Sequence, residues 1–179
     1  MRLVNRSVLC VALLSATVAA CGGGEEKGQQ PPPGPAETVA APVPADFNPC
    51  HTMTFEQVQA VIGTPTTISN RDNTGTMSPG WATCTFGRAD QSTGPVMTVR
   101  VARFENSATA ARRHQDIVGG LANAQSISGD ANNAAIWSDG NNTHLQYQSG
   151  WWVVRRTIEG QADDAARERL LAAPRWPAQ

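Results

Sequence analysis

The 179-residue sequence holds one lysine, one tyrosine and three histidines, and no apolar run of membrane-spanning length. Each scarcity narrows the function. Arginine supplies the rest of the positive charge, and no basic cluster is interleaved with aromatic residues, so the footprint of a phosphate-backbone binder is missing and nucleic acid is not an expected partner. His51, His114 and His144 lie far apart without metal-ligand spacing, so structural roles are expected for them, with no metal and no cofactor. There is no Gly-rich phosphate loop, no Gly-x-Ser-x-Gly elbow and no His-Glu-x-x-His helix, and Asp163 with Asp164 reads as a helix start rather than an acid and base pair. No catalytic set emerges. The longest apolar stretch, residues 8–18, contains Ser15 and Thr17 and runs into "CGGG", whereas a spanning helix needs about 20 apolar residues.

What is present at the N-terminus has three parts. "MRLVNRSVLCVALLSATVAAC" sets two arginines before an apolar stretch and then small residues, the plan of an export signal. Its end, Val18-Ala19-Ala20-Cys21, resembles the lipobox of bacterial lipoprotein signals. That resemblance implies cleavage between Ala20 and Cys21, a diacylglyceryl group on the Cys21 thiol and a further acyl chain, palmitate for example, on the new amino terminus. Residues 1–20 are then a signal peptide, and Cys10 leaves with it. Two or more chains satisfy the rule for stable anchoring, each buried methylene contributing about 0.8 kcal/mol. The competing reading is an ordinary secretory signal with an incidental cysteine. With two of the fourteen basic groups lost in the leader, the mature chain carries a net charge of about −3. Gly22 follows the cysteine in place of a retention-type aspartate. The expected location is therefore the outer membrane, at its periplasmic face or the cell surface, or the outer face of the plasma membrane in a host with one membrane.

Residues 21–46 then form the lipidated cysteine and a tether. The stretch after Cys21 has five glycines, six prolines and no aromatic residue, too little apolar surface to fold. Extended polyproline II chain rises about 3 Å per residue, so such a tether spans up to roughly 75 Å. From Phe47 the composition changes, and all five tryptophans, four phenylalanines and the tyrosine fall in 47–179, the expected single globular domain. A chain of that size buries about two-thirds of its unfolded surface.

The expected fold class is α+β: an antiparallel sheet of about five strands packed with two to three helices. "TMTFEQVQAVIG" predicts a helix capped by Thr52 or Thr54, with Phe55, Val58, Val61 and Ile62 on one stripe and Gly63 as its stop. "TTISNRDNTGTMSPG" reads as a polar loop. "WATCTF" and "VMTVRVARF" read as strands, with Met97, Val99 and Val101 on one face. A helix over 107–121 aligns Ala110, His114, Ile117 and Leu121, with Asn106 or Ser107 as cap. "AAIWS", "THLQYQ" and "WWVVRRTI" read as a C-terminal three-stranded meander. With Ser149 and Gly150 as the turn, Tyr147 faces Trp152 and Leu145 faces Val154. A last helix, 161–172, places Asp163 and Asp164 first and Arg167 and Arg169 later, with an i, i+4 ion pair.

Cys50 and Cys84 remain once Cys10 and Cys21 are assigned, and in an exported domain two leftover thiols most simply pair. Closing a loop of about 35 residues would stabilise by about 4 kcal/mol on the chain-entropy view. A thiol and imidazole pair at Cys50 and His51 is the sharper alternative. "NPCHTMTFEQVQAVIG", "CTF", "VRVARFENSATAARRHQD", "ISGDANNAAIW" and "LQYQSGWWVVRRTI" together resemble a family of small bacterial envelope lipoproteins, mainly known from actinobacteria, built on a domain of unknown function. The resemblance implies an α+β fold, the Cys50 to Cys84 disulfide and no established activity. Here Asn48 stands in place of the family's acidic residue before Pro-Cys. More narrowly, "MTFEQVQAVIGTPT" is similar to a helix of small lipoproteins that assist outer-membrane assembly.

The expected interaction surface is the second face of the meander: Trp151, Val153, Arg155, His144 and Gln146, because tryptophan beside arginine and amides is the composition of a binding hot spot. The competing expectation is that another layer covers this face. The preferred function is a membrane-anchored lipoprotein, held to the bilayer by acylated Cys21, that displays a non-catalytic domain to an envelope protein or a cell-wall component. The alternative is an envelope enzyme, thiol-dependent or peptidoglycan-directed, using Cys50 and His51.

Overall fold

The computed structural model describes residues 40–44, 46–72 and 80–177, all within Glu37–Gln179, one of two units into which the chain divides. The leader, the Ala20 to Cys21 junction and most of the tether lie outside the described residues. The folded part begins before Phe47: the Ala41 amide donates to the Arg103 carbonyl at 2.8 Å, and Ala40 packs against the cluster of Ala102, Phe104, Ala110 and Val153. The expected tether is thus shorter at its C-terminal end.

Cys50 sits in a 3-10 turn, Pro49–Thr52, that Asn48 caps. Helix α1, Phe55–Ile62, starts at Thr54 in a reciprocal capping box. The Gln57 amide donates to Thr54 Oγ1 (3.2 Å) while the Thr54 amide donates to Gln57 Oε1 (2.9 Å). Gly63, at φ 79°, ends the helix in the left-handed conformation. Val58, Val61 and Ile62 are buried, but Phe55 is exposed and reaches back edge-on to Phe86.

The stretch expected as a polar loop contains strand β1, Thr66–Asp72. It pairs antiparallel with β2, Ala82–Arg88, and carries an irregularity between Ile68 and Asn70. An edge strand is held by its backbone ladder and needs no apolar alternation, which is why the sequence hid it. β3, Val96–Arg103, follows. Helix α2, Ser107–Gly119, begins at Asn106, whose side chain accepts from the Thr109 amide, and stops short of Leu121. The two-residue strand β4, Gln125–Ser126, was not expected; β5, Ala135–Asp139, β6, Asn142–Ser149, and β7, Trp152–Glu159, form the expected meander.

One antiparallel seven-stranded sheet results, in the order β1-β2-β3-β7-β6-β5-β4, larger than the five strands expected and packed with three helices. The β6 to β7 register is two residues from the expected one. Gly150, at φ 56°, and Trp151 make the turn, so Tyr147 faces Val154 and Leu145 faces Arg156. Because the slip is an even number, every side chain keeps its face. Trp151 alone leaves the strand, for the turn.

The core lies on one side of the sheet. Cys84, Phe86, Met97, Val99, Val101, Leu145, Tyr147, Val154 and Ile158 meet α1, the 3-10 turn and helix α3, Asp164–Ala172, through Val58, Leu170 and Ala166. Cys50 and Cys84 form the disulfide inside this cluster. Asp163 caps α3, its side chain accepting from the Ala166 amide at 2.7 Å. No ion pair within α3 is formed among the described residues: Arg167 donates to Gln125 Oε1 and Arg169 to the Val61 carbonyl. Contacts with β4 and α1, not local charge, claim those arginines.

Arg156 is the exception in this core, fully buried with its guanidinium 5.4 Å from the Tyr147 ring centroid. Its Nη1 donates to the Pro174 carbonyl at 2.7 Å. Arg175 lies 5.2 Å from the same ring and pairs with Asp130 at 3.1 Å, and the Trp176 amide donates to Tyr147 Oη. These contacts pin the C-terminal segment, whose Trp176 packs with Phe47 and Trp152.

Candidate functional site

The other side of the sheet has a different chemistry. Reading straight across the strands, one row of facing residues is Asp72, Thr83, Arg100, Arg155, Gln146 and Ala135. The next row is Asn70, Thr85, Thr98, Thr157, His144 and Trp137. Positions two apart share a face, so both rows lie together and the face is polar through its middle strands.

Arg155 is the centre. Its Nε and Nη2 both donate to Gln146 Oε1, at 3.0 and 2.8 Å, and its guanidinium carbon lies 5.6 Å from the Trp81 ring centroid and 5.2 Å from that of Trp137. Gln146 Nε2 meets His114 Nδ1 at 3.1 Å, and His114 Nε2 meets the Asn133 carbonyl at 2.6 Å. This fixes the proton positions by assignment from partners. The Gln146 amide donates, so His114 Nδ1 accepts and Nε2–H donates to the carbonyl. Burial holds the His114 pKa below its ordinary value, against the carbonyl hydrogen bond that favours the proton. His114 is thus a neutral strut between α2 and β6.

His144 stacks on Trp137 with ring centroids 4.9 Å apart. Its Nδ1 lies 3.0 Å from Thr157 Oγ1, and its Nε2 lies 2.9 Å from Asp139 Oδ1. His144 is the main reason the Asp139 carboxyl lies below the usual carboxylate range; burial opposes this, and Asn142 and the Arg155 charge add to it. A carboxylate, imidazole and hydroxyl in this order can move a proton. An acyl-transfer site also needs free donors for an oxyanion. The amides around Thr157 belong to a strand paired on both sides, so they are committed to the ladder.

Like charges meet in the first row. Arg100 and Arg155 stand directly opposite each other on β3 and β7. Burial, and then the Arg100 charge, push the Arg155 pKa down from its ordinary value. Arg100 Nε and the Thr83 hydroxyl opposite it are buried without hydrogen-bond partners.

The expected interaction surface is corrected here. His144, Gln146, Val153 and Arg155 do share a face, but α2 covers part of it: Ala110 packs against Val153, Ala102 and Phe104, and His114 meets Gln146. Gln146 and Val153 are fully buried and His144 is 8% exposed, whereas Arg155 keeps partial exposure. Trp151 is 49% exposed at the hairpin turn, under the Arg103 guanidinium, and belongs to a different surface. Of the alternative catalytic pair, Cys50 is in the disulfide and His51 is exposed beside the Asn48 side chain. Among the described residues no cluster of metal-ligating side chains occurs, and no helix is long and apolar enough to cross a membrane.

Trp81, Arg100, Thr83, Thr98, Thr157 and Trp137 were not expected at the site. The spacing "TxT" at 83 and 85 and "TxR" at 98 and 100 marks one polar strand face, a signal available in the sequence. For Trp81, Thr83, Thr98 and Arg100 the meeting with Arg155 depends on β3 pairing with β7, which no local pattern announces. The likeness to envelope lipoproteins rests on the quoted motifs alone. No protein-family model, curated protein or solved structure matches this chain.

Proposed function

We propose that the chain is an exported lipoprotein, anchored through acylated Cys21, whose folded part is a non-catalytic binding domain presented in the cell envelope to a protein or a cell-wall component. The observation that carries this reading is the Cys50 to Cys84 disulfide within the core of a domain that follows a leader-like stretch and a lipobox-like cysteine. Disulfides of this kind belong to oxidising compartments, and the pairing leaves Cys21 as the one cysteine at the end of the leader. The polar sheet face, with an arginine clamped between two tryptophans, supports binding over chemistry. A thiol-dependent enzyme would need Cys50 as a thiolate, and the disulfide commits that sulfur.

The test is metabolic labelling with an alkyne fatty acid in an expressing bacterium. The wild-type chain should take up label and sediment with membranes, and Cys21→Ser should lose both. Label and membrane association persisting in Cys21→Ser would reject the anchor.

A further inference from the structure

We propose that the Arg100 and Arg155 pair, with the Thr83 hydroxyl, is a binding site for an oxyanion, the carboxylate or phosphate group of a ligand. Three observations converge on it. Two arginines stand directly opposite each other on adjacent strands, a like-charge pair that costs free energy when nothing negative lies between them. Arg100 Nε and Thr83 Oγ1, directly opposite one another, are buried donors without partners. Such groups are rare unless something satisfies them. Arg155, finally, is held rigid by two hydrogen bonds to Gln146 and by the rings of Trp81 and Trp137. That fixes the direction of its remaining donors before any ligand arrives.

Two nearby carboxylates are engaged elsewhere first: Glu159 accepts from Thr98 at 2.6 Å, and Asp139 lies 2.9 Å from His144 Nε2, its charge reaching Arg155 only in part. The donors of Arg155 that Gln146 leaves free, with Arg100 and a hydroxyl opposite, suit an oxyanion, because carboxylate and phosphate accept several such donors at once. Both arginines keep partial exposure, so an anionic group can reach them.

This inference rests on the reading of the fold as a binding domain and not on the lipid anchor. The experiment is thermal unfolding of the full-length protein titrated with inorganic phosphate in one arm and acetate in another, with sodium chloride holding ionic strength constant. The expected result is a saturable rise in Tm with one or both anions, the stronger arm naming the group. In Arg100→Gln the apparent affinity should fall about tenfold, the loss of roughly 1.4 kcal/mol expected for one charge-assisted hydrogen bond. The same variant without anion should unfold at or above the wild-type temperature, since an unsatisfied buried Nε and the repulsion of Arg155 are both removed. A Tm independent of both anions, an unchanged response in Arg100→Gln, or a lower anion-free Tm in that variant would overturn the site. Arg155→Gln should also abolish the response. Should it fail to fold, the Arg100→Gln series decides alone. Acyl labelling at Cys21 is untouched by any of these outcomes, so the anchor and the anion site fail separately.

Discussion

Arg155 and Arg156 are neighbours in the chain, yet they live on opposite faces of one strand and under opposite conditions. Arg156 lies in the apolar layer, excluded from water, its charge spread over the Tyr147 ring and one Nη1 hydrogen bond given to Pro174. Arg155 lies in the polar layer, half-exposed, oriented by an amide and two indoles and facing a second arginine. Burial lowers the pKa of both and a second arginine opposes each charge, Arg175 from the C-terminal segment at Arg156 and Arg100 from the neighbouring strand at Arg155. The difference teaches how one sheet divides its work. Arginine on the core side ties down the C-terminal segment, and arginine on the other side is held in readiness.

The largest effect expected from breaking this division is on the apolar side. Replacing Cys50 and Cys84 together by alanine should lower unfolding free energy by about 4 kcal/mol, from the freed chain entropy, as read by urea unfolding. A loss under about 1 kcal/mol would show that packing around the sulfurs, not the link, holds the turn to β2. Next is Arg156→Ala, expected to cost about 3 kcal/mol through the cavity and the lost tie to Pro174. Arg156→Met should recover most of that loss, since filling the volume removes the buried charge as well. Equal losses in the two variants would mean that the guanidinium contacts matter more than the space.

The smallest effect is on the polar side and depends on pH. His114 has a lowered folded pKa, so below its unfolded value of about 6.5 the unfolded chain gains a proton that the folded chain refuses. Stability from this group is fully present above that value and is lost as pH falls towards the folded pKa. Between pH 7 and 5 stability should therefore fall, measurable by urea unfolding at each pH, and His114→Gln should remove that part of the slope. A flat wild-type profile in this window would show that His114 takes its proton as readily in the folded state.

Much of the polar face was hidden for physical reasons. α1 was legible because Thr54, Gln57 and Gly63 act through nearest turns, and the meander because its apolar alternation survives an even register slip. β1 was not, since an exposed edge strand obeys no pattern of burial. The face of His144, Gln146, Val153 and Arg155 was assigned from strand parity, but the sequence did not reveal α2 lying over it. Nor could Arg100 be placed beside Arg155, because that pairing joins strands from different ends of the domain.

The sheet order has one more consequence, in time rather than space. β3 finds its second neighbour in β7, the last strand made. A chain delivered N-terminus first therefore carries an open, adhesive edge until Glu159 has emerged, because a strand with unpaired amides is a template for any other strand nearby. The interval between the arrival of Val96 and that of Glu159 is thus when the domain is most exposed to aggregation, and slowing synthesis or transport there should lower its yield without touching the stability of the finished fold.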